Sequence, residues 1–529
     1  MKVEIISKEN IKPSSPTPCH LKTYNFSMLD QFIPNVYAPL LFYYPNDHDG
    51  NNGISRALER SIALKKSLSN TLTQFYPLAG TINKNQLSID CNDVGANFVC
   101  ALVNRRLDEF LSYPDYRQIN HFLPFEPSLD GSTPSDHVLN VQVNIFECGG
   151  IVIGFCVSHK IFDGAGFSTF LKGWTNMACG AKEVVCPNLN VSSLFPAKEL
   201  LNGGRYIIAN YGSFLRKGNF STKRFVFDSQ AIALLKTEAA KNGVHHPSRV
   251  DVVSAFVWKC AMAASKEARG VKKPSLFVHT VNLRRKLSTK LSKDLLGNLI
   301  WFSYALCPTN YEPTLHGLVN KVRQSISKIN NEFVDQVQGD EGHVALVKSL
   351  KEMEEIGTNE TTDCYYVTSM CKMGFNETNF GWGKPSWVTS NICNDIPVFM
   401  NLICLMDTKY GTGGIEVWVN IDDEEMKILQ GNPELLSYAS LDPSPLERQL
   451  HITSNFAPHF TTRNMDKWDG RKPYDQVLKN PGQIASGMVL ERFAFHPKHG
   501  VAKHIWAIQK PYQIMFSTAF RKALRFCPK

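Results

Sequence analysis

Several marks of a specialised chain are missing from this sequence. Its 14 cysteines include no C-x-x-C pair, which argues against a zinc ribbon and a compact disulfide framework. No run of about 18 apolar residues occurs, so no membrane span is expected. The start, Met-Lys-Val-Glu-Ile-Ile-Ser-Lys-Glu-Asn, is polar and mixed in charge, without the apolar stretch of a signal peptide. There is no internal repeat, no low-complexity tract and no clustered Lys/Arg run. Collagen-like, coiled-coil and disordered readings are thereby excluded, and no nucleic-acid partner is expected. Cysteines lying singly in apolar runs, such as Cys156 and Cys404, read as small buried hydrophobes. A reducing compartment, most simply the cytoplasm, follows.

What is present is ordinary for a soluble globular chain. It has 529 residues, 43% hydrophobic and 20% charged, enough for two to four domains. The formal net charge of +9 is unevenly placed. Residues 446–529 hold 14 of the 57 Lys and Arg and 5 of the 48 Asp and Glu, which leaves 43 of each sign in residues 1–445. A neutral body is followed by a basic tail.

Leu64, Leu68, Leu72 and Phe75 recur at helical spacing, and Tyr76-Pro77-Leu78-Ala79-Gly80 stops that helix. Residues 138–147 alternate apolar and polar and read as a half-buried strand turning at Cys148-Gly149-Gly150. Ile151 to Val157 reads as a buried strand, and Phe167, Phe170, Leu171 and Trp174 as the apolar side of a following helix. A stretch rich in Pro, Asn, Gly and Ser over about 186–222 reads as a crossover. Beyond it come a strand at Lys223–Asp228, a helix from Ser248 to Ala264 capped by Ser248, a strand at Phe277–Leu283, and strands around Gly411–Gly414. Strands and helices mix throughout, so the fold class is α/β or α+β.

His159 closes the buried strand and precedes a small-residue turn, Gly164-Ala165-Gly166. A side chain there can enter a cleft while the sheet holds its backbone, and histidine suits proton transfer near neutral pH. Asp163 lies four residues on, close enough to brace the turn. His-x-x-x-Asp alone is a weak signal, since roughly one chance match is expected at ordinary Asp usage. Its setting carries the weight. Val157-Ser158-His159-Lys160-Ile161-Phe162-Asp163-Gly164 resembles the active-site motif of the plant BAHD acyltransferases, which use acyl-CoA donors. Further segments resemble that family in order: Ser27-Met28-Leu29-Asp30-Gln31, Phe75–Gly80 with Asp90–Asp93, Asn282-Leu283-Arg284, Gly297-Asn298 and Asn379-Phe380-Gly381-Trp382-Gly383-Lys384-Pro385. The likeness spans about residues 3–440 and leans toward members that acetylate alkaloid alcohols.

The resemblance implies two similar-sized mixed-sheet domains of the chloramphenicol-acetyltransferase-like type, with the active-site channel between them. The expected division is a first domain over 1–190, a crossover over 191–222, a second domain over 223–445 and a basic extension over 446–529. It also implies a reaction without metal or acyl-enzyme. His159 acts as general base on an acceptor hydroxyl, whose oxygen attacks the thioester of acetyl-CoA or another acyl-CoA. No cofactor is held; the partners are acyl-CoA and a small alcohol, and a monomer is expected.

By the same resemblance Asp163 turns from the reaction and pairs with Arg284, so both are structural, with Gly164, Gly381 and Gly383 supporting the site. Trp382 is implied as an oxyanion donor, with a purely architectural role as the other account. Asn379 stands where the family usually has Asp, so a contact with a basic side chain is expected to weaken. Ser248 has two accounts, a helix cap and a contact with the pantetheine arm of CoA. Ser158 is expected on the opposite face of its strand from the chemistry. The CoA phosphates need basic residues, with Arg284-Arg285-Lys286 and Lys290 and Lys293 as candidates. Alternative functions are acylation of sugar or simple alcohol hydroxyls, and a non-catalytic paralogue on the same scaffold. His496 and His499 do not make a convincing metal pair, and the extension is expected to be dispensable for catalysis.

Overall fold

The structure is a computed structural model. It describes residues 1–46, 52–83, 87–128, 135–183, 185–201, 215–287, 295–339, 341–357, 362–390, 398–409 and 413–446, and the backbone of 494–495 and 502–503. The chain forms two compact units, Met1–Thr453 and Ser454–Lys529. Of the second unit, two short antiparallel strands are described, Ala494–Phe495 and Ala502–Lys503.

The first unit is built on two large sheets. One has six strands, in the order Val3–Ile11, Ala96–Val103, Leu139–Phe146, Ile151–Ser158, Tyr37–Tyr44 and Trp387–Thr389. The other has seven, in the order Ile300–Cys307, Ser275–Asn282, Asp363–Ser369, Leu402–Asp407, Ile415–Asp422, Phe220–Phe227 and Ser440–Leu441. Parallel and antiparallel pairs occur in both sheets. The fold is thus mixed α/β with two sheet-containing domains. Residues 387–389 come late in the chain yet pair with Tyr37–Tyr44, Trp387 opposite Tyr43.

Local sequence explains the main elements. Gly53–Gln74 is a helix whose Leu64, Leu68 and Leu72 are fully buried, and it ends before Pro77 as the breaker requires. Ile151–Ser158 is buried along its whole length, as its apolar run demands. The expectation for 138–147 needs correction. Leu139–Phe146 is not half-buried; its polar positions Asn140, Gln142 and Asn144 are enclosed as well. The amides satisfy each other and nearby carbonyls: Gln142 Nε2 donates to Asn144 Oδ1 at 2.8 Å, and Asn144 Nδ2 to the Phe122 carbonyl at 2.9 Å. Buried amides stand where their hydrogen bonds are met, so alternation there does not report solvent.

Candidate active site

His159 directly follows the strand Ile151–Ser158, at the end where Ser158 pairs with Tyr37. Its own N–H donates to the Val36 carbonyl at 2.8 Å, which extends the ladder one residue and fixes the imidazole root. The half-buried side chain lines a cavity of about 260 Å³ where the ends of both sheets meet. The first half contributes Phe32 to Pro34, Val36 to Pro39, His159 and Asp163 to Ala165; the second contributes strand residues such as Thr280, Phe302, Thr368, Leu402, Trp418 and Asn420. The walls are mainly apolar, as a pocket for a small organic ligand requires.

Asn298 sets the state of the imidazole. Its Nδ2 donates to Asp30 Oδ1 and to the His159 carbonyl, both at 2.8 Å. Both partners only accept, so the NH₂ end of the amide must face them. The other end, Oδ1, lies 3.1 Å from His159 Nδ1. Nδ1 therefore carries the hydrogen, and the Nε2 lone pair is left free. In the sequence Gly297-Asn298 stands only as a family segment; no signal there joins residue 298 to residue 159.

Asp163 caps the helix Gly164–Ala178, accepting from the Gly166 N–H at 2.9 Å. Its second oxygen takes Arg284 Nη1 at 2.7 Å and the Leu299 N–H at 3.1 Å. Both ions are buried. Arg284 Nη2 donates to the carbonyls of Leu295 and Gly297, at 3.0 and 3.1 Å. The turn after His159 is thus tied to the loop that presents Asn298. Ser158 is fully buried outside the cavity lining, its hydroxyl accepting from the Lys160 N–H at 3.3 Å. Arg285 is exposed, and Lys290 and Lys293 lie outside the described residues.

The expectation for Trp382 is corrected. It packs on Phe380, with ring centroids 5.7 Å apart, lies beside Tyr44 and sits under the Arg60 guanidinium. Tyr44 is at the opposite end of its strand from Tyr37. Seven residues of extended chain separate them, roughly 23 Å. An indole there cannot donate to an oxyanion beside His159. In this segment Asn379 Oδ1 accepts from the Gly381 and Gly383 N–H groups, at 2.8 and 3.0 Å. Both glycines have φ above +100°, a conformation that side chains rarely adopt. One neutral acceptor oxygen makes these contacts, so Asn serves where Asp is usual.

Ser248 caps the helix Arg249–Arg269 in a capping box with Asp251, accepting its N–H at 3.1 Å. Beside that cap lies a second hollow of about 570 Å³, which shares Met370 with the first. Arg249, Lys372, Lys384 and Lys409 line it with Asp407 and Glu377.

A family model described as the transferase family matches residues 1–436. The chain belongs to this family, the BAHD acyltransferases. Epi-neemfruitin B 7-O-acetyltransferase of Melia azedarach is 42% identical over 455 residues, which are 84% of this chain and all of that one. Limonoid 7-O-acetyltransferase of Citrus sinensis is 41% identical over 462 residues, with the same coverage. The crystal structure of vinorine synthase superposes with a TM-score of 0.70 at 33% identity, over 83% of this chain and 99% of that one. The BAHD chain is therefore an acyltransferase, and the resemblance read from its motifs holds across the whole body.

Proposed function

We propose that the protein transfers an acetyl group from acetyl-CoA to a hydroxyl on a rigid, largely apolar polycyclic alcohol. The observation that carries this reading is His159, fixed with Nε2 free in the wall of an apolar cavity between the two sheets. His159 Nε2 takes the acceptor's hydroxyl proton as the oxygen attacks the thioester carbonyl. The tetrahedral intermediate collapses to the ester and expels CoA thiolate, which takes the proton back from the imidazolium. A thioester is already activated, so a positioned base and a few donors suffice. Donors for the oxyanion come from cavity hydroxyls and amides such as Thr280, Thr368 and Asn420, with no part for Trp382.

The adjoining hollow suits the CoA phosphates. Its four cations outnumber its two acids, Glu377 and Asp407, and Met370 lines both it and the first cavity. Ser248 caps the helix next to Arg249, which lines this hollow, and in this reading lies near the pantetheine arm. The two-domain division over 1–190 and 223–445 belongs to the same proposal, with 387–389 as an arm of the second domain reaching the first sheet. So do a monomeric state and a cytoplasmic location; among the described residues no helix is long and apolar enough to cross a membrane.

For the acceptor, the limonoid acetyltransferases at 41–42% identity favour a neutral terpenoid alcohol. The cavity agrees. Asp163 is the one carboxylate among its described lining residues, and Arg284 already neutralises it. A protonated alkaloid amine would find no counter-ion there. The alkaloid acceptor remains the second reading, favoured by the likeness to vinorine synthase. Purified protein with acetyl-CoA and matched panels of terpenoid and alkaloid alcohols, read by product mass, decides between them. Acetylation of the alkaloids alone overturns the first choice.

A further inference from the structure

The motif Ser27-Met28-Leu29-Asp30 does not touch the reacting groups of the proposed reaction. Asp30 is completely buried in the short helix Met28–Gln31. Its Oδ2 accepts from Ser27 N at 2.8 Å and Ser27 Oγ at 2.6 Å. Its Oδ1 accepts from Asn298 twice, from the backbone N at 2.9 Å and from Nδ2 at 2.8 Å. Four converging donors are what a carboxylate needs and a carboxylic acid cannot fully use. Lys160, also buried, supplies the nearby positive charge and donates to the Asp30 carbonyl at 3.2 Å. Asp30 and the His159 carbonyl together hold the Asn298 amide in one orientation, and Asp30 alone also holds the Asn298 backbone. A reversed amide would turn its carbonyl oxygen toward the carboxylate and its NH₂ toward the imidazole.

We propose that Asp30 is a positioning residue for acyl transfer: by fixing the Asn298 amide it selects the His159 tautomer with Nε2 unprotonated. The inference rests on His159 being the base. Without Asp30 only the His159 carbonyl still selects the NH₂ end of the amide; the reversed amide gains population, and in that state Nε2 carries the hydrogen and cannot accept the acceptor's proton. The loss falls on the chemical step, while the cavity walls that bind both substrates are unchanged.

Asp30→Asn would keep one acceptor oxygen for Asn298, and Asp30→Ala alone strands Lys160 as a buried unpaired cation and risks misfolding. The test variant is therefore Asp30→Ala with Lys160→Met, compared with wild type and His159→Ala. With acetyl-CoA and an acceptor from the panel, the double variant should keep Tm and both KM values while kcat falls by about 10- to 100-fold, the usual scale for removing an orienting partner. A merely structural role predicts that restoring charge balance restores kcat too, and that result overturns the proposal. The wild type gives a second reading that does not depend on any variant folding. Its ¹⁵N-labelled imidazole spectrum, with the His159 signals assigned by their loss in His159→Ala, should show hydrogen on Nδ1 and none on Nε2. The opposite tautomer overturns the inference as well. Full activity in His159→Ala would instead overturn the general-base reading, so the two failures are distinguishable.

Discussion

Around His159 the backbone, Nδ1 and the Asp163–Arg284 turn are each held by assigned partners, and this makes the site sensitive to single changes. Arg284 and Asp163 are a buried pair, and removing one partner leaves an uncompensated charge. Arg284→Met should therefore cost about 3–5 kcal/mol in chemical denaturation, and the slackened turn should lower kcat. A second buried group, His279 on the strand Ser275–Asn282, stacks on Phe277. Burial pushes its imidazolium down to about 4, against a smaller opposing pull from Asp251. Between about 4 and the ordinary 6.5 the unfolded chain holds a proton that the folded chain does not. This contribution is complete above pH 6.5 and is lost as the pH falls toward 4, on the order of 3 kcal/mol. His279→Phe should flatten the fall in Tm between pH 6.5 and 4.5 relative to wild type; parallel curves would contradict it.

Among the elements, the late strand Trp387–Thr389 does most to join the sheets. Trp387 lies against Tyr43 of the first sheet, donates to Glu416 of the second at 3.1 Å, and stacks under Arg224, which in turn pairs with Glu416 at 3.1 Å. Trp387→Ala should destabilise by about 3–5 kcal/mol, the cost of a large aromatic truncated in a core, read by denaturant midpoint. Trp382→Phe should leave kcat within about twofold, because its ring packing survives and a substitution remote from the chemistry is usually small in effect. A tenfold loss would return Trp382 to the mechanism. Elements with strong local periodicity were legible in the sequence: the helix around Leu64 to Leu72, the strand ending at His159, and the cap at Ser248. Asp163 and Arg284 were legible as a pair only through the family resemblance. The rest depends on strand pairing, which is non-local. The distance of Trp382 from His159 follows from which end of Tyr37–Tyr44 it meets. The Asp30–Asn298–His159 chain joins three segments far apart in sequence.

Over the whole molecule, chemistry and charge are separated. The family match and the two sheets lie in the neutral body, and the basic excess lies in residues 446–529. Relatives that align over their full length leave about this tail unmatched. A chain ending at Leu446, which still packs against the first core, should retain Tm and kcat/KM; loss of either would give the tail a role in the fold or the reaction. In the proposed reaction His159 serves as the base for acyl transfer to an alcohol in the cavity between the sheets. The most direct measurement is CoA release from acetyl-CoA, coupled to detection of the ester, for wild type and His159→Ala side by side. Acceptor-dependent release that falls by at least about 100-fold in His159→Ala, with Tm unchanged, is the predicted result. Equal release by both proteins, with no ester formed, would contradict it.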